Sequence, residues 1–255
     1  MVVKLFGSPV STCTARVMLC MEEIGLQYEL VPVDLKAGEH QRPPHSDRNP
    51  FCQIPALQDG GLVLFGEGFL CSPKFKFATL RLIRKPKPFC QIPALQDGGL
   101  VLFESRVITR YLVQKYGKGT YLLKQKSFVD TVAVDQWMEV ETQHFNGPIS
   151  AIVFQHVFLP LLFGGHTDQN VVLLDLDKLG KVLDVYEARL SKTKFLAGDF
   201  YSLADLHHLP YGYHLINNTP HGSLINSRPH VKAWWDAITS RQGSKKVLAA
   251  MASTS

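Results

Sequence analysis

The chain has 255 residues, of which 45% are hydrophobic and 19% charged, as in an ordinary soluble protein of one large or two small domains. No run approaches the roughly 18 apolar residues that span a membrane, and the amino terminus is a poor signal peptide. The net charge of +5 arises mostly in residues 66–87, so we expect neither nucleic acid nor a membrane as a partner. Five cysteines without C-x-x-C spacing argue against a disulfide framework or a zinc site and favour a reducing, cytoplasmic location.

The first half of the chain predicts strands that alternate with helices. The β-branched stretch VVKLF predicts a buried strand, and Tyr28–Leu35 predicts a second one. Between them apolar residues recur at helical spacing up to Gly25, and Cys13 on this stripe is expected to face the core. The Asp-Gly turn in IPALQDGGLVLF predicts a hairpin, and ESRVITRYLVQKYG predicts a helix that ends at Gly117.

From Ser127 onward the strand signals fade and helical stripes continue to the carboxyl end. Ser202 and Asp205 have the spacing of a capping box, which marks the start of a helix. Trp234 and Trp235 lie in a further predicted helix and are expected to belong to its core.

Two domains follow from this change of pattern. We predict an α/β domain over residues 1–118 and an all-α domain over residues 126–255. His207 and His208 have no partner at the spacing of metal ligands, so we predict that they are structural.

One segment of the chain occurs twice. Residues 50–65 recur without a change as residues 88–103, at an offset of 38 residues. The predicted sheet can accommodate only one such hairpin. One copy, together with the basic residues 66–87 between the copies, must therefore lie outside the sheet. The second copy runs directly into a predicted helix start at Glu104, so we predict that the second copy forms the hairpin of the sheet. The surplus, about residues 50–87, is then predicted to form a surface loop. A tandem duplication and a wrongly joined gene model both explain such a repeat.

Several stretches together resemble the plant phi class of cytosolic glutathione S-transferases: KLFGSPVSTCTARV, AGEHQ, QIPALQDG, LVLFESR, KVLDVYEARL and FLAGDFYSLADLHHLP. The resemblance covers nearly the whole chain except residues 66–87. It implies a thioredoxin-like domain that binds glutathione, followed by an all-α domain that contributes the electrophile site. It also implies a homodimer that conjugates glutathione to hydrophobic electrophiles in detoxification, without a metal.

By this resemblance Ser11 is the catalytic residue. It stands where the chain leaves the first strand and enters the first helix. A hydroxyl beside the positive end of a helix can donate a hydrogen bond to the glutathione sulfur and lower the pKa of the thiol. Judged from the residues alone, a serine before a helix is most often an N-cap, and this stays the alternative.

The resemblance also assigns the residues that bind glutathione: Ser11, His40, Gln41, Gln91, Ile92, Pro93, Glu104 and Ser105. Glu104 and Ser105 open a helix, whose free N–H groups suit the γ-glutamyl end. A cis bond before Pro93 would turn the backbone of Ile92 toward the bound peptide.

The sequence departs from the family at two of these places. Gln41 stands where the family commonly has a basic residue, with Arg42 as a substitute for it. Cys90 stands where the family has glycine. Gln53 and Ile54 are the first-copy counterparts of Gln91 and Ile92. The electrophile site is expected to include Val10, Phe145 and Ile149.

Two other functions stay open at this point. The apolar helical domain would also suit a non-catalytic carrier of glutathione or hydrophobic ligands. A defunct product is the third reading, because the surplus segment adds apolar residues that promote aggregation.

Overall fold

The computed structural model describes residues 3–34, 37–39, 42–43, 56–59, 62–65, 105–117, 121–124 and 127–253. These residues fall into two compact units. The first unit comprises Met1–Val17 and Gln27–Ile108, and the second comprises Met18–Leu26 and Thr109–Ser255. The predicted domain limits at 118 and 126 stay predictions.

The first unit is built on a four-stranded sheet in the order β2-β1-β3-β4. The strands are β1 (Val3–Gly7), β2 (Tyr28–Pro32), β3 (Ala56–Asp59) and β4 (Leu62–Phe65). Strands β1 and β2 are parallel, and helix α1 (Thr12–Glu23) lies between them in the chain, as a parallel connection requires. The other two pairs are antiparallel. The predicted first two strands, first helix and hairpin are confirmed.

The first copy of the repeat forms this hairpin, so our prediction that the second copy would do so is wrong. Leu5 of β1 pairs with Leu57, and Leu57 pairs in turn with Leu64. Because the copies are identical, pairing with β1 cannot distinguish them, and only the lengths of the connections differ. Loop-closure entropy varies only slowly with loop length, so the lengths of the connections do not decide between the copies. The second copy lies outside the described residues.

The second unit is helical. Helix α2 begins at Ser105 and contributes to both units, with Gly117 following its last residue as predicted. The helices are α2 (Ser105–Tyr116), α3 (Phe128–Val140), α4 (Asn146–Val153), α5 (Leu159–Phe163), α6 (Gln169–Leu190), α7 (Leu203–Leu206), α8 (Leu209–Asn217), α9 (Ser223–Asn226), α10 (Pro229–Thr239) and α11 (Gln242–Ala252). Two π-helical turns, Glu141–Phe145 and Phe154–Phe158, join α3, α4 and α5.

Asp205 organises the core of the second unit. The capping box predicted for Ser202 and Asp205 is present at the start of α7. The buried carboxylate accepts hydrogen bonds from the Leu196 and Ser202 backbone N–H groups, both at 3.0 Å. It also accepts from the Ser202 hydroxyl at 3.1 Å and from Trp234 Nε1 at 2.9 Å. Trp234 and Trp235 are buried in α10, as predicted.

The joined helices α3 to α5 form one run of 36 residues, Phe128–Phe163. Its most apolar window has a mean hydropathy of 1.4 and is 33% buried, so by length and composition it could cross a membrane. One such run is weak evidence for a span, because helices of soluble proteins pass the same test. Our expectation of no membrane partner stays a prediction.

Candidate active site

Ser11 lies directly before α1, at the end where the helix presents its positive pole. The Ser11 carbonyl accepts from the Ala15 N–H at 2.8 Å, and the Ser11 hydroxyl oxygen accepts from the Thr14 N–H at 3.4 Å. The side chain is half-buried. Within the described part of the chain, no acceptor takes the hydroxyl proton of Ser11. The N-cap hydrogen bond of Ser11 is therefore present but long.

Ser105 is the first residue of α2 and is fully buried. Its hydroxyl oxygen accepts a hydrogen bond from Arg16 Nη1 at 2.7 Å. Arg16 is itself fully buried, and the same Nη1 lies 3.7 Å from the sulfur of Cys13. The guanidinium thus fixes the Ser105 oxygen as an acceptor and directs the hydroxyl proton elsewhere.

Arg16 was missed by the sequence analysis. It lies on the buried side of α1, among residues that are otherwise mostly apolar. The position of a charged residue on the apolar side of the predicted helix could have revealed it. An arginine is rarely buried unless it has a polar partner, so a partner was to be expected.

The other six predicted glutathione-binding residues all lie outside the described residues: His40, Gln41, Gln91, Ile92, Pro93 and Glu104. Val10 is described and is 8% exposed. Phe145 stacks on Tyr186 with ring centroids 6.0 Å apart, and Ile149 is also buried. Their burial gives no support to an electrophile-lining role, which stays a prediction.

Both of the described cysteines are buried. Cys13 is buried, as predicted, and its sulfur lies 3.7 Å from Arg16 Nη1. Burial, and secondarily the charge of Glu23, raises the pKa of the Cys20 thiol far above its usual range. A thiolate at Cys20 is therefore excluded near neutral pH.

The paired histidines 207 and 208 are structural, as predicted. His207 Nε2 lies 2.9 Å from the Thr109 hydroxyl, and His208 Nε2 lies 2.9 Å from the Tyr186 hydroxyl. Both rings are fully buried. Among the residues with described positions, no three potential metal ligands come together.

The second unit also contains a polar cavity of about 580 Å³. The residues around it are Glu22, Glu23, Tyr121, Arg241, Gln242, Gly243 and Lys246. Arg241 binds Glu23 through two hydrogen bonds of 2.9 and 2.6 Å and lies 4.0 Å from the centre of the Tyr201 ring. The charges of this cavity neutralise one another, so we assign it a structural role.

Replacing Arg241 with methionine is expected to lower the free energy of unfolding by about 2 kcal/mol. The Glu23 carboxylate is only 5% exposed and would lose both of these hydrogen bonds. Lys246→Met is the matched control, because its bond to Glu22 is made by an ammonium group on a 69% exposed side chain and is worth about 1 kcal/mol or less. Urea unfolding measures both losses, and equal losses would contradict the assignment.

Comparison with known proteins places these features in a family. The glutathione S-transferase N-terminal domain family matches residues 1–68 and 76–114, and the corresponding C-terminal domain family matches residues 145–242. Probable glutathione S-transferase GSTF1 of Oryza sativa subsp. japonica is 42% identical over 98% of this chain and 97% of its own length.

Solved structures agree. Glutathione transferase F7 from Populus trichocarpa has a TM-score of 0.79 and 46% identity, covering 98% of this chain and 99% of the other. Glutathione S-transferase I from maize, in complex with an atrazine glutathione conjugate, has a TM-score of 0.77 and 38% identity and covers 100% of both chains.

These likenesses extend over both halves of the chain and confirm the predicted fold, a thioredoxin-like amino-terminal domain followed by an all-α domain. They also confirm that the protein is an enzyme of the transferase class. The chain belongs to the glutathione S-transferase family, and within it to the plant phi class.

Proposed function

We propose that Ser11 activates the thiol of reduced glutathione for attack on hydrophobic electrophiles. The observation that carries this proposal is the Ser11 hydroxyl at the start of α1, whose proton has no acceptor among the described residues. Donation of that proton to the sulfur stabilises the thiolate and lowers its pKa from about 8.5. The thiolate forms the new carbon–sulfur bond, and the leaving group departs with the bonding electron pair.

We further propose that Ser105 donates its hydroxyl proton to the γ-glutamyl carboxylate. Arg16 supports this role because its contact occupies the oxygen of Ser105 as an acceptor. The free N–H groups at the start of α2 add to the attraction for an anion. Glu104 is proposed to bind the amine of the same γ-glutamyl group.

The position of the first copy in the sheet changes one assignment. The residues directly before β3 are Gln53, Ile54 and Pro55, so we propose this triplet for the backbone pairing that the family resemblance had given to Gln91, Ile92 and Pro93. His40 and Gln41 are proposed to face the glycyl end.

The electrophile is proposed to be a small hydrophobic compound, and the maize relative with its atrazine glutathione conjugate supports this class. Val10, Phe145 and Ile149 stay the proposed contacts. We propose detoxification as the role, a homodimer as the assembly and the cytoplasm as the location. Formation of the glutathione conjugate distinguishes this function from that of a non-catalytic carrier or a defunct product, neither of which would form it.

Calorimetric titration of the full-length chain with reduced glutathione tests the binding part of the proposal. Replacing Ser105 with alanine is expected to weaken binding about tenfold or more, since a hydrogen bond to a charged group contributes about 1.5–3 kcal/mol. Ser127→Ala is the control, because Ser127 also lies at a helix start, as the N-cap of α3, but has no proposed ligand. A melting curve of each variant checks folding, and unchanged affinity in Ser105→Ala would contradict the role.

A further inference from the structure

Two histidines from separate parts of the second unit meet in pairwise contact. His156 belongs to the π-helical turn Phe154–Phe158, and His221 lies in the connection between α8 and α9. Their Nε2 atoms are 3.1 Å apart and their ring planes are inclined by 60°. Neither ring has a part in the proposed glutathione chemistry.

The rings of His156 and His221 are both half-buried, and both are uncharged, as a histidine that binds a metal ion must be. Burial lowers the pKa of each imidazole below its ordinary value, and for His156 the charge of His221 lowers it further. Each ring is therefore neutral near pH 7 and carries one nitrogen lone pair. Without a third partner, one Nε2 must donate to the other, whereas a cation would use the lone pairs of both.

We propose that His156 and His221 bind a divalent first-row transition-metal ion of the Zn²⁺ class through their Nε2 atoms. Two nitrogens on a tetrahedral zinc ion, at about 2.0 Å each, lie about 3.3 Å apart. The observed 3.1 Å differs from this by a shift that small side-chain rotations supply. Imidazole is a preferred ligand of zinc, nickel and copper.

Hydrogen bonds order the backbone that carries the two rings. The His221 N–H donates to the Thr219 hydroxyl oxygen at 3.2 Å, and that hydroxyl donates to the Leu215 carbonyl at 2.6 Å. His156 is fixed by the continuous helical run on the other side. Such preorganisation lowers the cost of bringing the two ligands together.

The site is an open one. No cluster of three or more histidine, cysteine or carboxylate ligands exists in the described part of the chain, so water would fill the other coordination positions. Two protein ligands with exchangeable water are typical of a weak, reversible site, unlike the closed four-ligand sites that stabilise small domains.

Calorimetric titration of the full-length chain with zinc chloride, without glutathione, tests this proposal. The unaltered protein is expected to bind a single zinc ion at this site, and His156→Gln and His221→Gln are each expected to weaken that binding at least about tenfold. His166→Gln is the matched control, since this exposed histidine follows α5 nearby in the chain and is expected to leave binding unchanged. The cysteines are the same in all four proteins, so any zinc that they bind contributes equally to the four titrations.

Thermal unfolding gives a second readout. Zinc is expected to raise the Tm of the unaltered protein and of His166→Gln, but not of the two site variants. Two independent site variants keep the test decisive if one of them folds poorly. Equal zinc binding in the unaltered protein and both site variants, or no binding in any protein, would overturn the proposal and leave the pair as a hydrogen bond only.

Discussion

Replacing Ser11 with alanine is expected to lower kcat/KM for conjugation of an activated aryl halide by about 10- to 100-fold. The alanine removes a hydrogen bond to the thiolate worth about 1.5–3 kcal/mol, and about 1.4 kcal/mol corresponds to a factor of ten in rate. The pKa of bound glutathione is expected to rise by about one to two units toward its value in water. Steady-state kinetics and ultraviolet titration of the bound thiolate measure the two effects.

Ser8→Ala is the matched control for this substitution. Ser8 also precedes α1, but its contact to the Ser11 N–H is made by its backbone carbonyl at 3.0 Å, which alanine keeps. Its kcat/KM is expected to stay unchanged. Loss of the N-cap in Ser11→Ala costs about 1 kcal/mol of stability, so a melting curve separates folding from chemistry. Equal rates in Ser11→Ala and the unaltered protein would exclude Ser11 as the activator. Glutathione binding without turnover in the unaltered protein would instead favour a carrier.

Replacing Asp205 with alanine is expected to lower the free energy of unfolding by about 3–5 kcal/mol. The substitution leaves the Leu196 and Ser202 N–H groups and Trp234 Nε1 without their acceptor inside the core. Each buried donor without a partner costs about 1–3 kcal/mol, reduced where the site relaxes. Asp199→Ala is the control, because this exposed carboxylate accepts from a single backbone N–H, that of Lys194 at 2.9 Å. The free energy of unfolding is expected to fall by less than about 1 kcal/mol in Asp199→Ala. Urea unfolding compares the two variants.

Asp205 also predicts a dependence of stability on pH. Burial raises the pKa of its carboxyl to about 6, although its four hydrogen bonds oppose the shift. The unfolded value is about 3.9, so between the two values the folded state holds a proton that the unfolded state has lost. The free energy of unfolding is therefore expected to fall as the pH rises from about 4 to 6. Asp205→Ala is expected to lack this part of the pH dependence, and an unchanged slope in the variant would assign it to another group.

The elements that local patterns define were predictable. The strand at Val3–Gly7, the helix stop at Gly25 and the capping box at Ser202 each depend on a few adjacent residues, and the structure confirms them. Family resemblance added the roles of Ser11 and Ser105, whose geometry at two helix starts is consistent with those roles.

Long-range choices were not predictable from the same patterns. The two copies of the hairpin are identical, so no feature of the strands could identify the one that pairs with β1. Arg16 reaches Ser105 across 89 positions of the chain, and the approach of His156 to His221 spans 65 positions. Contacts of this kind depend on how helices pack, which sequence periodicity does not encode.

Since β3 and β4 come from the first copy, the extra length of this chain falls between β4 and α2, in residues 66–103. Deleting residues 50–87 and deleting residues 66–103 yield the same shortened polypeptide, because the copies are identical. After either deletion, the last phenylalanine of the remaining copy, Phe65 or Phe103, directly precedes Glu104. A single recombination between the two coding blocks would thus restore an uninterrupted strand-to-helix joint without altering one residue of the sheet.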